Sequence, residues 1–352
     1  GMGASPACTS ENSGGNPVKK HLLAAAAAAA LSVTLSGAAF ASCEKGEIVV
    51  KFSHVVAEKG SPKGETAAAL ATRVNEEMNG KLCMEVYPNS QLYDDDKVLE
   101  AMLLGDAQLA APSLSKFEKY TKKFRIFDLP FLFTDIDAVD RFQSGEAGQA
   151  MLHSMEGNGL LGLGYWHNGM KQISAKKPLL TPGDAKGLKF RIQTSDVLEA
   201  QFRALGSNPQ KLAFAEVYGA LQTGVVDGQE NTWSNIYTKK FHEVQDGITE
   251  SNHGIIDYLL VTSVEFWNSL PDDVREQFST ILNEETAKGN ALANSLDIES
   301  RQKILDSGGV IRELTPEQRA AWAKAMEPVW AEFEGDIGAD LIEAAKASNL
   351  GS

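Results

Sequence analysis

Strand-like and helix-like segments alternate along the first part of the chain, and this order restricts the possible folds. Ile48–Ser53 is a β-branched and aromatic run, which favours a strand, and a second strand is predicted over Lys81–Tyr87. Between them, Pro62–Met78 carries apolar residues at helical spacing. A helix over Asp96–Gly105 and a short strand over Ala107–Ala111 complete a βαβαβ order. This order predicts an α/β protein with a parallel sheet and right-handed crossovers.

A second set of alternating elements follows, and then a helical tail. Pro271–Gly308 keeps a helical period with few breakers. Thr315-Pro-Glu-Gln318 has the capping-box pattern that begins a helix. The repeated alternation favours a second α/β unit. Its predicted elements are strands over Leu160–Trp166, Gln172–Ala175, Lys189–Gln193 and Val225–Asn231, and helices over Ser195–Leu205 and Ala215–Thr223.

The N-terminal region has the features of a secretory signal peptide. Lys19-Lys20 is a positively charged start, residues 21–33 are apolar and rich in alanine, and Ala39-Phe-Ala41 resembles a cleavage site. The apolar stretch is too short for a membrane anchor, and no later segment is long and apolar enough to span a bilayer. We therefore predict export, with a mature chain that begins at about Ser42. The mature chain of about 310 residues is long enough for two domains.

Two further interpretations concern the ends of the chain. Cleavage as a lipoprotein before Cys43 is an alternative, but Phe40 fits the first position of a lipobox poorly, so ordinary signal-peptide cleavage is favoured. Residues 1–17 have no hydrophobic pattern. We interpret them as an extension or a misassigned start, and Gly351-Ser352 as a terminal extension.

The chain is strongly acidic, with a formal net charge of −14. Loss of residues 1–41, which carry Lys19, Lys20 and Glu11, makes it one charge more negative. Nucleic acids bind basic faces, so this charge argues against a nucleic-acid partner. The overall field also repels a dianion. An acidic ligand would therefore have to be held by local cations in a closed site.

Three cysteines bear on the compartment. Cys8 precedes the predicted cleavage site, so Cys43 and Cys83 remain. Cys43 lies just before the first predicted strand and Cys83 lies within the second, so they meet if these strands are neighbours. In an oxidising compartment a disulfide is the expected state, and two unpaired thiols are the alternative.

Two polar residues lie where predicted strands end. Arg191 ends one strand and offers a planar fork of donors that suits a carboxylate. Asn231 ends another and offers both a donor and an acceptor. Because ligands of open α/β sheets bind at the carboxyl ends of the strands, this arrangement predicts a site for a small carboxylic acid.

The same residues carry a family resemblance. Residues 215–231, AEVYGALQTGVVDGQEN, resemble the signature of the solute-binding proteins of TRAP (tripartite ATP-independent periplasmic) transporters. The similarity extends from Ile48 to about Ala347. It is strongest with the C4-dicarboxylate-binding, DctP-type branch, through the runs YWHNG (165–169), ENTWSNIY (230–237) and ITESNH (248–253).

The resemblance implies a two-domain periplasmic-binding-protein fold of the α/β class. In this fold the domains are discontinuous, a ligand cleft lies between them, and a long helix braces both. We expect domain I to comprise residues 42–168 and about 257–296. Domain II would comprise residues 169–256 and about 297–350, after an extension and signal peptide over residues 1–41.

The resemblance also implies several ligand contacts. Arg191 matches the arginine that forms a salt bridge with the ligand carboxylate, and the Phe214 position stacks along the ligand. Asn231 matches a ligand contact, although capping of the next helix is an alternative. Trp233 forms either a wall of the site or part of the core.

A dicarboxylate needs a second cation. Lys171 stands where relatives that bind sialic acid carry arginine, and this departure puts that contact in doubt. Lys63 begins the first predicted helix, where the helix N-terminus also favours an anion. His54 ends the first strand and can donate to an oxygen, and Ser113 is a weaker polar candidate.

The remaining motifs give little support for a metal site, a nucleotide site or a catalytic site. Asp94-Asp-Asp96 lacks the spacing of a calcium loop and is interpreted as a solvated loop. The glycines at 159, 162 and 164 precede a strand, whereas a dinucleotide loop follows one. The sequence contains neither HExxH nor GxSxG, so no catalytic motif supports an enzyme.

We therefore predict a monomeric periplasmic protein, without cofactor or metal, that binds a small organic dianion. The ligand is a C4-dicarboxylate such as succinate, fumarate or malate, delivered to a TRAP permease after hinge closure. The alternatives are a protein for another organic acid (a monocarboxylate, a sugar acid or a longer diacid) and a periplasmic enzyme that acts on acidic substrates.

Overall fold

A computed structural model describes residues 43–350, which lie within one compact unit. The predicted signal peptide, its cleavage site, Cys8 and the two terminal residues lie outside the described residues. None of the helices described is both long and apolar enough to cross a membrane.

The strands of the described chain form two sheets. Most predicted strands lie within two or three residues of the observed ones. The strands are β1 (Ile48–Ser53), β2 (Leu82–Tyr87), β3 (Leu109–Ala110), β4 (Leu160–Met170), β5 (Gln172–Ala175), β6 (Lys189–Ile192), β7 (Asn208–Lys211), β8 (Gly228–Asn231), β9 (Gly247–Glu250), β10 (Ile255–Ser263) and β11 (Ile311–Glu313).

Helices surround the sheets. Short 3₁₀ turns also occur, including Leu114–Phe117 and Phe214–Glu216. The α-helices are α1 (Pro62–Glu77), α2 (Val98–Leu103), α3 (Ile136–Ser144), α4 (Glu146–Met151), α5 (Asp196–Ala204), α6 (Val217–Thr223), α7 (Trp233–Thr238), α8 (Val264–Ser269), α9 (Asp272–Asp306), α10 (Pro316–Met326), α11 (Pro328–Ile337) and α12 (Ala339–Ala347).

The predicted helix caps are present. The Ser195 hydroxyl accepts from the Leu198 amide at 3.2 Å at the start of α5. Thr315 and Gln318 form a reciprocal capping box at the start of α10, with Pro316 in the first turn. These side chains accept hydrogen bonds from amides that have no partner inside the helix, which explains why α5 and α10 begin at these residues.

The first sheet is mixed, with strand order β2-β1-β3-β10-β4. The predicted parallel pairing is confirmed for β1 with β2 and with β3, but β10 runs antiparallel to both β3 and β4. Sequence reasoning missed β10, every residue of which is buried. A run buried on both faces lacks the polar alternation that marks a half-exposed strand.

The second sheet has the order β11-β9-β5-β8-β6-β7. Placing β4 with β5 in one unit was wrong, because β4 pairs in the first sheet and the chain changes sheet at Lys171. It returns between Glu250 and Ile255, and the Lys171 amide donates to the Gly254 carbonyl at 2.8 Å. The two crossings are therefore bonded to each other.

The long helix α9 contacts elements that belong to both sheets. It packs along α1 and β4, and it also packs on α7. Its Asn290 side chain accepts from the His167 amide at 2.8 Å, and its Asp297 accepts from the Ser234 amide at 2.8 Å. A Cβ at Gly169 would lie 2.7 Å from the Asp297 carboxylate, so this close approach requires glycine. The helix therefore connects the two sheets, as a bracing helix would.

Apolar side chains form separate clusters around the two sheets. The C-terminal helices contribute Val329 and Phe333 to the cluster that contains Phe124 and Phe127, beside the first sheet. The residue boundaries expected for the two domains stay a prediction.

Cys43 and Cys83 are joined as a disulfide, with Sγ atoms 2.08 Å apart and Cα atoms 5.6 Å apart. Cys83 lies in β2 opposite Val49 of β1, in the parallel register that brings the start of both strands together. The bond therefore ties the segment before β1 to the edge strand of the first sheet.

Candidate functional site

A pocket of about 390 Å³, part of it open to solvent, lies at the carboxyl ends of strands from both sheets. The first sheet contributes residues that follow β1 and β3, and the second contributes the ends of β6 and β8. This is where ligands bind in open α/β sheets. The lining residues are Val55, Val56, Asp95, Asp96, Ser113, Lys116, Arg191, Gln193, Phe214, Asn231, Asn235, Ile256 and Tyr258.

Arg191 lines this pocket with a guanidinium that is buried from solvent but has unused hydrogen-bond donors. The residue is 2% exposed, and Nε donates to the Leu212 carbonyl at 3.0 Å. Within residues 43–350, neither Nη atom has a hydrogen-bond partner. Burial lowers the pKa of Arg191 to about 10, which leaves it charged at neutral pH. A buried cation with a free fork needs an anion, and a carboxylate matches its geometry.

Asn231 lies at the end of β8, where its amide is partly committed. Its Oδ1 accepts from the Thr232 amide and from Asn235 Nδ2, both at 2.9 Å. The cap of α7 is Thr232, so the alternative that Asn231 caps this helix is wrong. In the described chain no acceptor bonds to Asn231 Nδ2, which is left as a donor at the pocket wall.

Phe214 and Ser113 also line the pocket, on different sides. The half-buried Phe214 ring has the Arg191 guanidinium carbon 5.8 Å from its centroid and Lys239 Nζ at 5.5 Å. The Ser113 hydroxyl lies 3.4 Å from that of Ser115. Four of the eight predicted ligand-binding residues therefore meet here: Arg191, Asn231, Phe214 and Ser113.

Sequence reasoning missed a charged cluster on the wall of the first sheet. Lys116 Nζ lies 2.8 Å from Asp96 Oδ1, and the lysine side chain is only 4% exposed. Asp95 is buried and faces the same pocket, so the interpretation of residues 94–96 as a solvated loop is wrong for Asp95. Lys116 lies three residues after Ser113 in the turn that follows β3. Its position just after a strand end was the sequence signal that could have predicted a pocket residue.

Lys63 does not line the pocket. Its ammonium donates to the Ala111 carbonyl at 2.8 Å and lies 3.7 Å from the centroid of the Tyr258 ring. Tyr258 itself forms part of the pocket wall, so Lys63 lies behind that wall. Burial lowers the pKa of Lys63 to about 8.

Lys171 is also outside the pocket lining, in a buried ion pair. Its Nζ lies 2.7 Å from Glu230 Oε1. The second oxygen of Glu230 contacts His253 Nε2 at 2.5 Å and Gln201 Nε2 at 3.0 Å. Although burial opposes it, the charge of Lys171 holds the pKa of Glu230 below its usual range, so the carboxylate is ionised.

The last two candidates lie in the interior. Trp233 packs in the cluster around α6 and α7, with the Arg301 guanidinium carbon 5.6 Å from its ring, which favours the core alternative. His54 is 1% exposed, and neither ring nitrogen has a hydrogen-bond partner in the part of the chain described. Burial, with Lys63 and Lys239 nearby, lowers the pKa of His54 to about 3, so the ring is neutral.

A two-sheet α/β fold with a pocket of opposed cations between the strand ends is that of a solute-binding protein for small anions. The family comparison agrees: the model for "DctP: Bacterial extracellular solute-binding protein, family 7" matches residues 52–336. The chain belongs to this family, which confirms the predicted resemblance. The family consists of solute-binding proteins and not of enzymes, as expected from the sequence.

Individual relatives cover nearly the whole chain. The C4-dicarboxylate-binding periplasmic protein DctP of Vibrio cholerae is 65% identical over 323 residues, which are 92% of this chain and 97% of that protein. A TRAP periplasmic solute-binding protein of Shewanella oneidensis, solved with bound succinate, has 55% identity and a TM-score of 0.85, covering 86% of this chain and 99% of that one. Another from Pseudomonas aeruginosa, solved with L-malate, has 45% identity and a TM-score of 0.79 over 81% and 99%. These similarities confirm the predicted fold class.

Proposed function

We propose that this protein captures a C4-dicarboxylate, such as succinate, fumarate or malate, and delivers it to a TRAP membrane permease. The observation that carries the proposal is the guanidinium of Arg191, which is buried at the pocket with both Nη atoms free. A carboxylate in this position would complete two parallel hydrogen bonds. Relatives that are named for C4-dicarboxylates, or were solved with succinate or L-malate, support the same ligand class.

The second carboxylate of the ligand is assigned to Lys116. It lines the pocket opposite the second sheet, whereas Lys63 lies behind Tyr258 and Lys171 is paired with Glu230. A ligand carboxylate would share the Lys116 ammonium with Asp96, and an ammonium has three donors to distribute. Asn231 Nδ2 would orient the ligand between the two cations.

Capture works by closure of the two halves of the molecule around the ligand. Arg191 and Asn231 belong to the second sheet, while Lys116 and Ser113 follow a strand of the first, so one dianion bridges both. A ligand that contacts both sides stabilises the closed state over the open one. We propose that these halves have the domain boundaries expected from the sequence, at about residues 168, 256 and 296; the observed crossings between the sheets, at Lys171 and near Gly254, are close to the first two.

The compartment and assembly belong to the same proposal. The N-terminal signal pattern and relatives named as periplasmic support a periplasmic location. The protein acts there as a monomer, since one chain supplies every side chain assigned to the ligand. The permease is the partner that its transporter class implies.

Calorimetric titration with succinate, butyrate and adipate tests the ligand class. Butyrate has the length of succinate but one carboxylate, so it leaves Lys116 without its second anion. We expect it to bind about 10- to 100-fold more weakly than succinate. Adipate should bind more weakly because its two extra methylene groups must fit between the same two cations. Equal affinities for butyrate and succinate would contradict the C4-dicarboxylate assignment, and tight binding of only a sugar acid would replace it.

A further inference from the structure

Asp95 lines the pocket with an unused carboxylate. The residue is only 8% exposed, so more than nine-tenths of it is removed from solvent. No group within residues 43–350 donates a hydrogen bond to this carboxylate, whereas its neighbours are engaged. Asp94 Oδ1 accepts from the Asp96 amide at 2.8 Å, and Asp96 Oδ1 accepts from Lys116 at 2.8 Å. Asp95 is thus a buried acceptor that faces the ligand space.

An ionised carboxylate only accepts hydrogen bonds. Burial raises the pKa of Asp95, and the charges of Lys63 and Lys116 oppose that rise. A buried charged group without a hydrogen-bond partner is costly, and a ligand that supplies a donor removes this cost. The two carboxylates of succinate bring no donor at neutral pH, whereas a 2-hydroxy acid brings one hydroxyl.

We propose that Asp95 is a specificity-determining residue that accepts a hydrogen bond from a hydroxyl of the ligand, so that the pocket favours 2-hydroxy C4-dicarboxylates over unsubstituted ones. This inference rests on the proposed function, because it needs a C4-dicarboxylate in the pocket. Arg191 and Lys116 bind the two carboxylates, which both kinds of ligand share. Asp95 contacts the hydroxyl on the carbon chain between those carboxylates.

Ligands alone provide the first test, without any variant. Malate is compared with succinate and with methylsuccinate, in which a methyl group replaces the hydroxyl at nearly the same size. A hydrogen bond to a charged acceptor predicts that malate binds about 10- to 100-fold more tightly than either. If malate and methylsuccinate agree within about threefold, the role of Asp95 is overturned. If no dicarboxylate binds at all, the proposed function itself fails, and the two failures are distinct.

The variant Asp95→Leu supplies the second test, since leucine has a similar shape but no atom that accepts a hydrogen bond. We expect succinate to bind as well as malate, within about threefold. Asp94→Asn removes the same charge one residue away, outside the pocket lining, and should keep the wild-type ratio. A ratio that persists in Asp95→Leu, or disappears in Asp94→Asn, contradicts the proposal. A thermal melt of each variant without ligand checks that it folds.

Titrations at pH 6 and pH 8 separate an acceptor from a proton-linked site. An ionised Asp95 keeps the preference for malate at both pH values. If Asp95 instead takes up a proton when the ligand binds, succinate affinity rises by up to about tenfold for each unit of pH decrease and the preference for malate vanishes at pH 6. That second result overturns the acceptor role.

Discussion

The ammonium of Lys171 lies 2.7 Å from the carboxylate of Glu230, and both side chains are at most 3% exposed. Lys171 stands where the chain crosses from β4 to β5, and Glu230 directly precedes Asn231 in the strand β8. The pair therefore connects the crossing point to the strand that presents Asn231. The carboxylate of Glu230 neutralises Lys171 away from the pocket. Among the described residues, the cations that line the pocket are Arg191 and Lys116.

This pair predicts a stability defect without a matching binding defect. Lys171→Met or Glu230→Gln leaves one buried charged group uncompensated, and we expect each to lower the free energy of unfolding by about 3–5 kcal/mol. The double variant should recover a large part of that loss. Denaturant unfolding of all four proteins measures the coupling. A loss of succinate affinity above about 100-fold in Lys171→Met, with little change in stability, would instead show a direct ligand contact.

Arg191 predicts the opposite pattern. Arg191→Met removes the carboxylate anchor, so binding of succinate should weaken by about two to four decades. Because the unliganded protein then no longer buries an unpaired cation, its free energy of unfolding should rise by about 1 kcal/mol or more. Arg203→Met is the control, since that arginine is 69% exposed and pairs with Glu199 on α5. A loss of affinity below about threefold would refute the assignment of Arg191.

His167 predicts a dependence of stability on pH. Although burial by itself lowers the pKa of His167, the carboxylates of Asp257 and Asp140, 2.7 and 2.8 Å away, raise it to about 10. The folded state therefore keeps a proton that the unfolded chain releases near pH 6.5. The stabilisation, on the order of a few kcal/mol, is complete below pH 6.5 and is lost as the pH rises toward 10.

Unfolding curves of His167→Gln and wild type between pH 6 and pH 10 check this prediction. The difference in unfolding free energy should be largest at pH 6 and shrink with increasing pH. His153→Gln is the matched control, since His153 bonds to Glu156 but is 64% exposed. A difference that is constant over the range would mean that His167 contributes only by packing.

The disulfide predicts a stability that depends on the redox state. Cys43 and Cys83 are 40 residues apart, and closing a loop of that size stabilises the folded state by about 3–4 kcal/mol in the chain-entropy model. Reductant should lower the unfolding free energy of wild type by about this amount, while a Cys43→Ser/Cys83→Ser variant should be insensitive to it. Two alkylatable thiols in the secreted native protein would show that the bond does not form.

Local patterns predicted most elements because their causes are local. Ser195 and Thr315 begin helices through side chains that bond within three residues, and β1 and β5 have the bounds that were predicted. The strand β10 was missed because it is buried on both faces, and its antiparallel direction depends on the return of the chain from the second sheet. Direction in a sheet is a property of the whole path and leaves no local signal.

For the candidate site, too, some features were predictable from the sequence and others depended on the tertiary structure. From the sequence alone came the export signal, the acidic charge, the family and the strand ends at Arg191 and Asn231, because residue type and order carry this information. Tertiary structure alone decided which cations face the pocket. Lys63, Lys116 and Lys171 are chemically equal in the sequence, and each has a partner in the fold, but of the three only Lys116 lines the pocket. An ammonium can contact a ligand only where the fold exposes it to the pocket, and the residues that form the pocket come from distant parts of the chain.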